Sequence, residues 1–416
     1  MDHFIDLTAH ILPGDNIWVS QACAQPLPLT TALVTQRNEV GACRVFTGML
    51  LSDTFAPEAC SPLRLASYGG VGRNHRLVAS GHMDVLPSNY SQIPGLITAG
   101  ILSCDVVMLQ LSPPGPDGNH SLGISQDYLV AAARRARVVL AEINDQMPWT
   151  HCLPGIEGIE IHARFETSRP LVEMPLGRVG ETERRIAAHA ARFVPDRATV
   201  EVGIGALAEA VLESIADRRE LGIHAGLIGD GVVRLMEQGV VTNAFKTVYP
   251  GRTTAGLLYG SARAMQFARN NPDFLFLTPD VTHGIGTLSK IDNFIAINSA
   301  IEVDLTGQVN AEVLGGRYVG ALGGQADFVR GANQSKGGRS IIALPSTAGS
   351  GATSRIVASL SQGVVSSARS DADVIVTEWG AAELRGQSLA ERVRRMVAIA
   401  HPAHRDHLES AARNAT

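Results

Sequence analysis

The chain has 416 residues, 45% hydrophobic and 18% charged, with 35 Lys and Arg against 40 Asp and Glu for a net charge of −5. That length exceeds one ordinary core and predicts two or three domains, and the composition excludes a disordered chain. With no long basic run, the charge pattern offers nucleic acid no footprint.

In chain order, the start MDHFIDLTAHILPGDNIWVS carries acidic residues and neither a basic leader nor an apolar span, so no secretory signal and no membrane segment are expected there. Residues 5–35 predict an amphipathic helix, a turn at Pro13, a short β run, a loop of small residues and a second helix. Residues 105–112, DVVMLQLS, read as a buried strand before a Gly/Pro-rich turn, and Arg134, Arg135 and Arg137 as the solvated face of a helix. Residues 186–216 repeat the first pattern around Pro195. Residues 373–380, DVIVTEWG, echo the strand at 105–112 and lead into a turn and a helix. This self-similarity predicts an α/β fold of two related domains with mainly parallel sheets, 1–180 and 181–416, the second carrying the active-site loops. In such sheets ligands bind beyond the carboxyl ends of the strands.

Cys23, Cys43, Cys60, Cys104 and Cys152 show no CxxC and no Cys/His metal spacing. Reduced thiols in a cytoplasm, with no disulfide and no metal, are therefore expected.

The chemistry concentrates in residues 291–332. A β run ends in Asn298-Ser299-Ala300, Glu302 and Asp304 follow, and then Gly323-Gly324-Gln325-Ala326-Asp327-Phe328. Paired glycines let backbone N–H groups face a ligand oxygen, as in an oxyanion hole, although a plain turn explains them equally well. Residues 340–355, SIIALPSTAGSGATSR, read as a buried strand and a hydroxyl-rich loop, suited to a nucleotide or pantetheine arm or simply to solvent. Glu378 ends a buried run, where a carboxylate is costly unless paired or used.

The strings INSAIEVDLTGQV, GGQADFVRGA, IALPSTA, VTEWG and AIAHP, in this order, resemble the acetyl-CoA hydrolase/CoA-transferase family near its 4-hydroxybutyrate CoA-transferase branch. The resemblance runs over residues 60–408. It implies a class I CoA-transferase-like fold, acyl-CoA or CoA as substrate rather than cofactor, a second small-molecule acceptor or water, and a homodimer. It also implies roles for single residues. Gly324 would give the oxyanion N–H, Asn298 would bond the acyl oxygen, and Glu378 would orient a reacting group or bind CoA. Gly203 and Gly205 would let the backbone approach the substrate, and Gly323, Gln325, Pro345 and Ser346 would line the CoA site.

Family members attack the thioester with a glutamate, forming an acyl-glutamyl anhydride and then a glutamyl-CoA thioester. The matching segment here reads Leu221-Gly222-Ile223-His224-Ala225-Gly226-Leu227-Ile228-Gly229-Asp230-Gly231, and Gly226 stands where that glutamate belongs. Three explanations fit: a changed chemistry, in which water or another acceptor attacks directly; service by Glu302 or Glu378; or deliberate replacement of the glutamate, which the clustered differences at Ala225, Gly226 and Gly229 argue against. His224 is either a structural hydrogen-bond partner or a base, and Asp230 a turn carboxylate. The leading expectation is thioester hydrolysis or acyl transfer without a glutamyl-CoA intermediate. The rivals are a carboxylate CoA-transferase with a relocated nucleophile and a catalytically silent CoA-binding protein.

Overall fold

Parallel strands covered on both faces read as near-continuous apolar runs, and the computed structural model places such runs in two sheets. It describes residues 5–174, 177–349, 351–361 and 363–414. The chain divides into two compact units. The first comprises Met1–Pro175, Thr254–Thr282 and Tyr318–Gly323; the second comprises Leu176–Thr253, His283–Arg317 and Gly324–Thr416.

In the first unit one sheet has, among the described residues, seven parallel strands: β1 Asn16–Val19, β2 Arg44–Thr47, β3 Arg64–Ser67, β4 Met83–Val85, β5 Val106–Leu111, β6 Val138–Asn144 and β7 Ala163–Thr167. Their order is β4-β3-β2-β1-β5-β6-β7, so the winding reverses between β1 and β5. Strand alternation divides the core. Ile17, Val19, Val45, Met108 and Leu140 pack on one face, and Trp18, Phe46, Val107, Leu109 and Val139 on the other. Trp18 stacks on Phe46 with centroids 4.1 Å apart.

The second unit holds β8 Thr199–Val202, β9 Gly222–Ile228, β10 Phe294–Ser299, β11 Arg339–Ala343, β12 Val374–Thr377 and β13 Gly380–Glu383. These pair in the order β13-β12-β11-β10-β8-β9, all parallel except the β12–β13 hairpin. The chain goes from β8 to β9 on one side and returns to β10 on the other. The carboxyl ends of β8 and β10 therefore flank the switch point, the customary ligand crevice of such sheets.

Three local expectations are corrected. Residues 8–10 form a turn rather than part of a helix. The stretch before Pro13 is too short to offset helix nucleation, and Leu7 and Ile11 bury themselves from an irregular backbone instead. After DVIVTEWG the chain makes the antiparallel strand β13 before the helix Leu389–Ala398, because Glu378 and Trp379 close a two-residue hairpin with Gly380 at φ +144. Arg137 lies beyond the helix Leu129–Arg135 and pairs with Asp15 at 2.7 Å. Among the described residues no helix is long and apolar enough to cross a membrane.

One buried polar pair marks the switch point. Glu201 on β8 faces Ala296 of β10 in register and is 3% exposed. Asn298 Nδ2 donates to its Oε2 at 2.7 Å. Burial pushes the Glu201 carboxyl up to about 8, with the Asn298 hydrogen bond acting the other way. The folded chain thus keeps a proton that the unfolded chain releases from about 4.5 upward, so this group makes stability fall as pH rises from there through about 8. Glu201→Gln should remove that slope. In urea titrations its stability relative to the parent should improve steadily across this window. Parallel stability profiles for the two proteins would contradict a protonated Glu201.

Candidate active site

The second unit gathers several predicted residues at the carboxyl edge of its sheet. Gly222 pairs with Thr199 and Ile223 with Val200, so Gly226 lies, by that register, level with Gly203 just beyond β8. Gly205 caps the helix Ala206–Ser214 with φ +104, a conformation that favours glycine. A Cβ built at Gly203 or Gly205 meets nothing within 4 Å, so the backbone at both fronts open space. Asn298 stands near the end of β10 on its Glu201 partner.

Gly226 is different. A Cβ built there would come 2.4 Å from His283 Nε2, 2.7 Å from its Cε1 and 3.4 Å from Phe328 Cε2. A Cβ at Gly324 would come 2.2 Å from His283 Cδ2 and 2.6 Å from Nε2. The imidazole of His283 therefore lies against both glycines, in the space where a side chain at 226 would start. The ring is 5% exposed and rests on Phe328, with centroids 4.6 Å apart. Gly324 caps the ten-residue helix Gln325–Gln334, whose amino end directs backbone N–H groups outward. A base, a helix amino terminus and a strand end thus converge. That combination suits proton transfer beside a developing oxyanion.

His224 is fully buried two residues before Gly226, its ring edge-on to Phe294 at 6.4 Å. It belongs to the packing beneath the site. Ala225 is buried, and Asp230 begins the helix Asp230–Glu237 behind Gly229. Gln325 Nε2 donates to the Ser299 carbonyl at 2.7 Å, tying the helix to the end of β10. Gly323 closes a segment of the first unit, where its carbonyl accepts from Tyr90 N at 2.9 Å.

Glu378 has a structural occupation. It accepts from Ser346 N at 2.9 Å and from Ser346 Oγ at 2.5 Å, and Trp379 Nε1 donates to the same hydroxyl at 3.2 Å. Pro345 and Ser346 follow β11, and Glu378 follows β12, which lies four strand spacings from β9, roughly 19 Å between strand axes. A glutamate side chain is shorter than that span. Glu302 is likewise engaged, accepting from Asn310 Nδ2 at 3.0 Å.

The sequence reading missed His283 and Glu201. Glu201 left a signal as the lone charge in the apolar run ATVEVGIG. His283 left only a histidine in the loop TPDVTHGIG, and no spacing rule links it to a glycine 57 positions earlier (283 − 226). A third buried ionisable group, Lys246, is pushed down to about 7 by burial, but its Nζ donates to the carbonyls of Ile223 and Arg252, each at 2.6 Å. It braces the amino end of β9, away from the ligand edge. Among the described residues no cluster of His, Cys, Asp and Glu is suited to a metal ion.

Comparison with known proteins agrees with this architecture. The acetyl-CoA hydrolase/transferase N-terminal domain matches residues 4–165, and the C-terminal domain of the same family matches residues 260–412. The 4-hydroxybutyrate coenzyme A transferase of Clostridium kluyveri is 40% identical over 341 residues, 82% of this chain and 79% of that protein. RipA from Yersinia pestis superposes with a TM-score of 0.92 at 34% identity, covering 98% of this chain and 96% of that one. The 4-hydroxybutyrate CoA-transferase of Porphyromonas gingivalis gives a TM-score of 0.83 at 32% identity, over 99% of this chain and 96% of its own. With both family domains matched and the fold shared over nearly its full length, this chain belongs to the acetyl-CoA hydrolase/transferase family.

Proposed function

We propose that the chain is an acyl-CoA-processing enzyme in which the acceptor, water foremost, attacks the thioester directly, without a glutamyl-CoA intermediate. The observation that carries this reading is the His283 ring in the space where a side chain at Gly226 would begin. Glycine offers no nucleophile, and the imidazole would have to move before a side chain could grow from that position. Glu201 is a poor stand-in, because a carboxyl titrating at about 8 is mostly protonated, and so a weak nucleophile, at neutral pH.

What remains supports thioester chemistry. The backbone fronts open space at Gly203 and Gly205, Asn298 stands at the switch point, and the helix amino end at Gly324 suits a carbonyl oxygen gaining charge. The family match supports coenzyme A as the carrier half of the substrate. The cysteine spacing, without a CxxC pair, supports a reducing compartment, and we place the enzyme in the cytoplasm as a homodimer.

Incubation with acetyl-CoA or butyryl-CoA should release CoA thiol while the intact mass of the protein stays that of the unmodified chain. The initial-rate pattern should not be that of ping-pong exchange between two carboxylates. An acyl or CoA adduct mapped to any glutamate would overturn the direct-attack reading in favour of a relocated nucleophile. Light scattering at micromolar concentration should give twice the chain mass of 44.0 kDa, and a single-chain mass would remove the homodimer.

A further inference from the structure

We propose, resting on the thioester reading above, that His283 is the catalytic general base of this enzyme and that the glycines at 226 and 324 are its seat. In an ordinary core, two glycines and a buried histidine mean little. Here one ring fills the side-chain space of both glycines, which come from different elements: strand β9 and the cap of the helix Gln325–Gln334. A Cβ on either would fall within 2.7 Å of a ring atom, so the ring holds this place only while both positions lack side chains. Phe328 backs the imidazole, its ring tilted by 43° to it at a centroid distance of 4.6 Å.

The position of the nitrogen explains the chemistry. Nε2 lies 2.4 Å from where the first carbon of a side chain at 226 would stand. A glutamate rooted there would carry its carboxylate oxygen three covalent bonds further on. A water hydrogen-bonded to Nε2, at about 2.8 Å, extends by a similar reach. The imidazole with its water thus takes up much the same length as the missing side chain, and the attacking oxygen becomes that of water.

The step balances without a further reactant. Nε2 removes a proton from the water as its oxygen bonds to the thioester carbonyl carbon. The carbonyl electron pair moves onto oxygen, beside the helix amino end at Gly324. The tetrahedral species then collapses, the C–S bond breaks, and the imidazolium returns its proton to the departing sulfur. Acyl-CoA and water become a carboxylic acid and CoA, with nothing oxidised or reduced.

The test uses the full chain and its His283→Ala and His283→Gln variants, with acetyl-CoA, butyryl-CoA and 4-hydroxybutyryl-CoA in water. Both variants should lose about 10²–10⁴-fold in kcat, the usual range for a general base. KM and calorimetric CoA affinity should stay within a few fold. Added imidazole should restore part of the activity of His283→Ala, which a purely structural histidine would not allow. Variants that keep the parental kcat would overturn the role of His283 while leaving thioester hydrolysis standing. So would loss of activity without imidazole rescue in a variant whose CoA affinity and circular dichroism match the parent. If the unmodified chain releases no thiol from any of the three substrates, the functional reading falls, and the role of His283 falls with it.

A second experiment tests the shared space. Gly226→Glu alone should perturb the site, since its Cβ and the ring compete for one place, and it should form no covalent adduct. Gly226→Glu combined with His283→Ala frees that place, and acyl-CoA should then label the introduced carboxylate. Equal labelling of the single and double variants would show that His283 does not fill the space, and would overturn the proposal.

Discussion

The site is organised by an exclusion of volume. Protein interiors hold few voids larger than a water molecule, so a buried ring needs a cavity of its own shape. The His283 imidazole gets that cavity from two positions that lack a Cβ, Gly226 and Gly324, closed on one side by Phe328. The strand carrying Gly226 and the helix capped by Gly324 are fixed by pairing and packing elsewhere, and the ring is 5% exposed against them. A confined ring suits the proposed general base, because proton transfer weakens steeply as the hydrogen bond departs from its best geometry.

The same constraint accounts for the groups around it. His224, two residues earlier on β9, is buried against Phe294, and Phe294 in turn meets Phe328 at 6.3 Å. The aromatic packing below the sheet edge therefore runs continuously up to the imidazole. On the neighbouring strands the polar requirement is met by Glu201 and Asn298, which satisfy each other in a setting that keeps the carboxyl protonated at neutral pH. A neutral carboxyl there adds no negative charge where the proposed oxyanion would form.

Much of this was legible in the sequence, for a physical reason. Buried parallel strands need unbroken apolar runs, so VVMLQL, SIIA and VIVT announced β5, β11 and β12, and the repeat of one pattern announced two α/β units. The loops after those strands could be picked out because ligand edges require glycine and small hydroxyl residues. The emptiness of position 226 was also visible, since its flanks hold the register. What fills it was not. His283 reaches Gly226 through tertiary packing alone, and a one-dimensional reading carries no information on which loop folds over which strand. Glu378 was visible as a carboxylate after a buried strand, but its partner was not: the β12–β13 hairpin aims it at Ser346.

Under the proposed direct attack, an imidazole in place of a carboxylate nucleophile changes what the fold can do more than it changes the fold. A carboxylate that attacks a thioester must be released again, and ping-pong transfer depends on the second carboxylate that releases it. In the proposed reaction an imidazole holding a water has no covalent debt to a second substrate, and the acyl group departs as the free acid. The binding half of the site need not alter for this. The glycines after β8, Asn298 on β10 and the helix amino end serve a tetrahedral centre equally well whether its new oxygen comes from glutamate or from water. On this proposal the chemistry is set by one side-chain volume at the end of β9. A scaffold whose strands supply position and whose loops supply side chains can exchange that volume while its core stays intact.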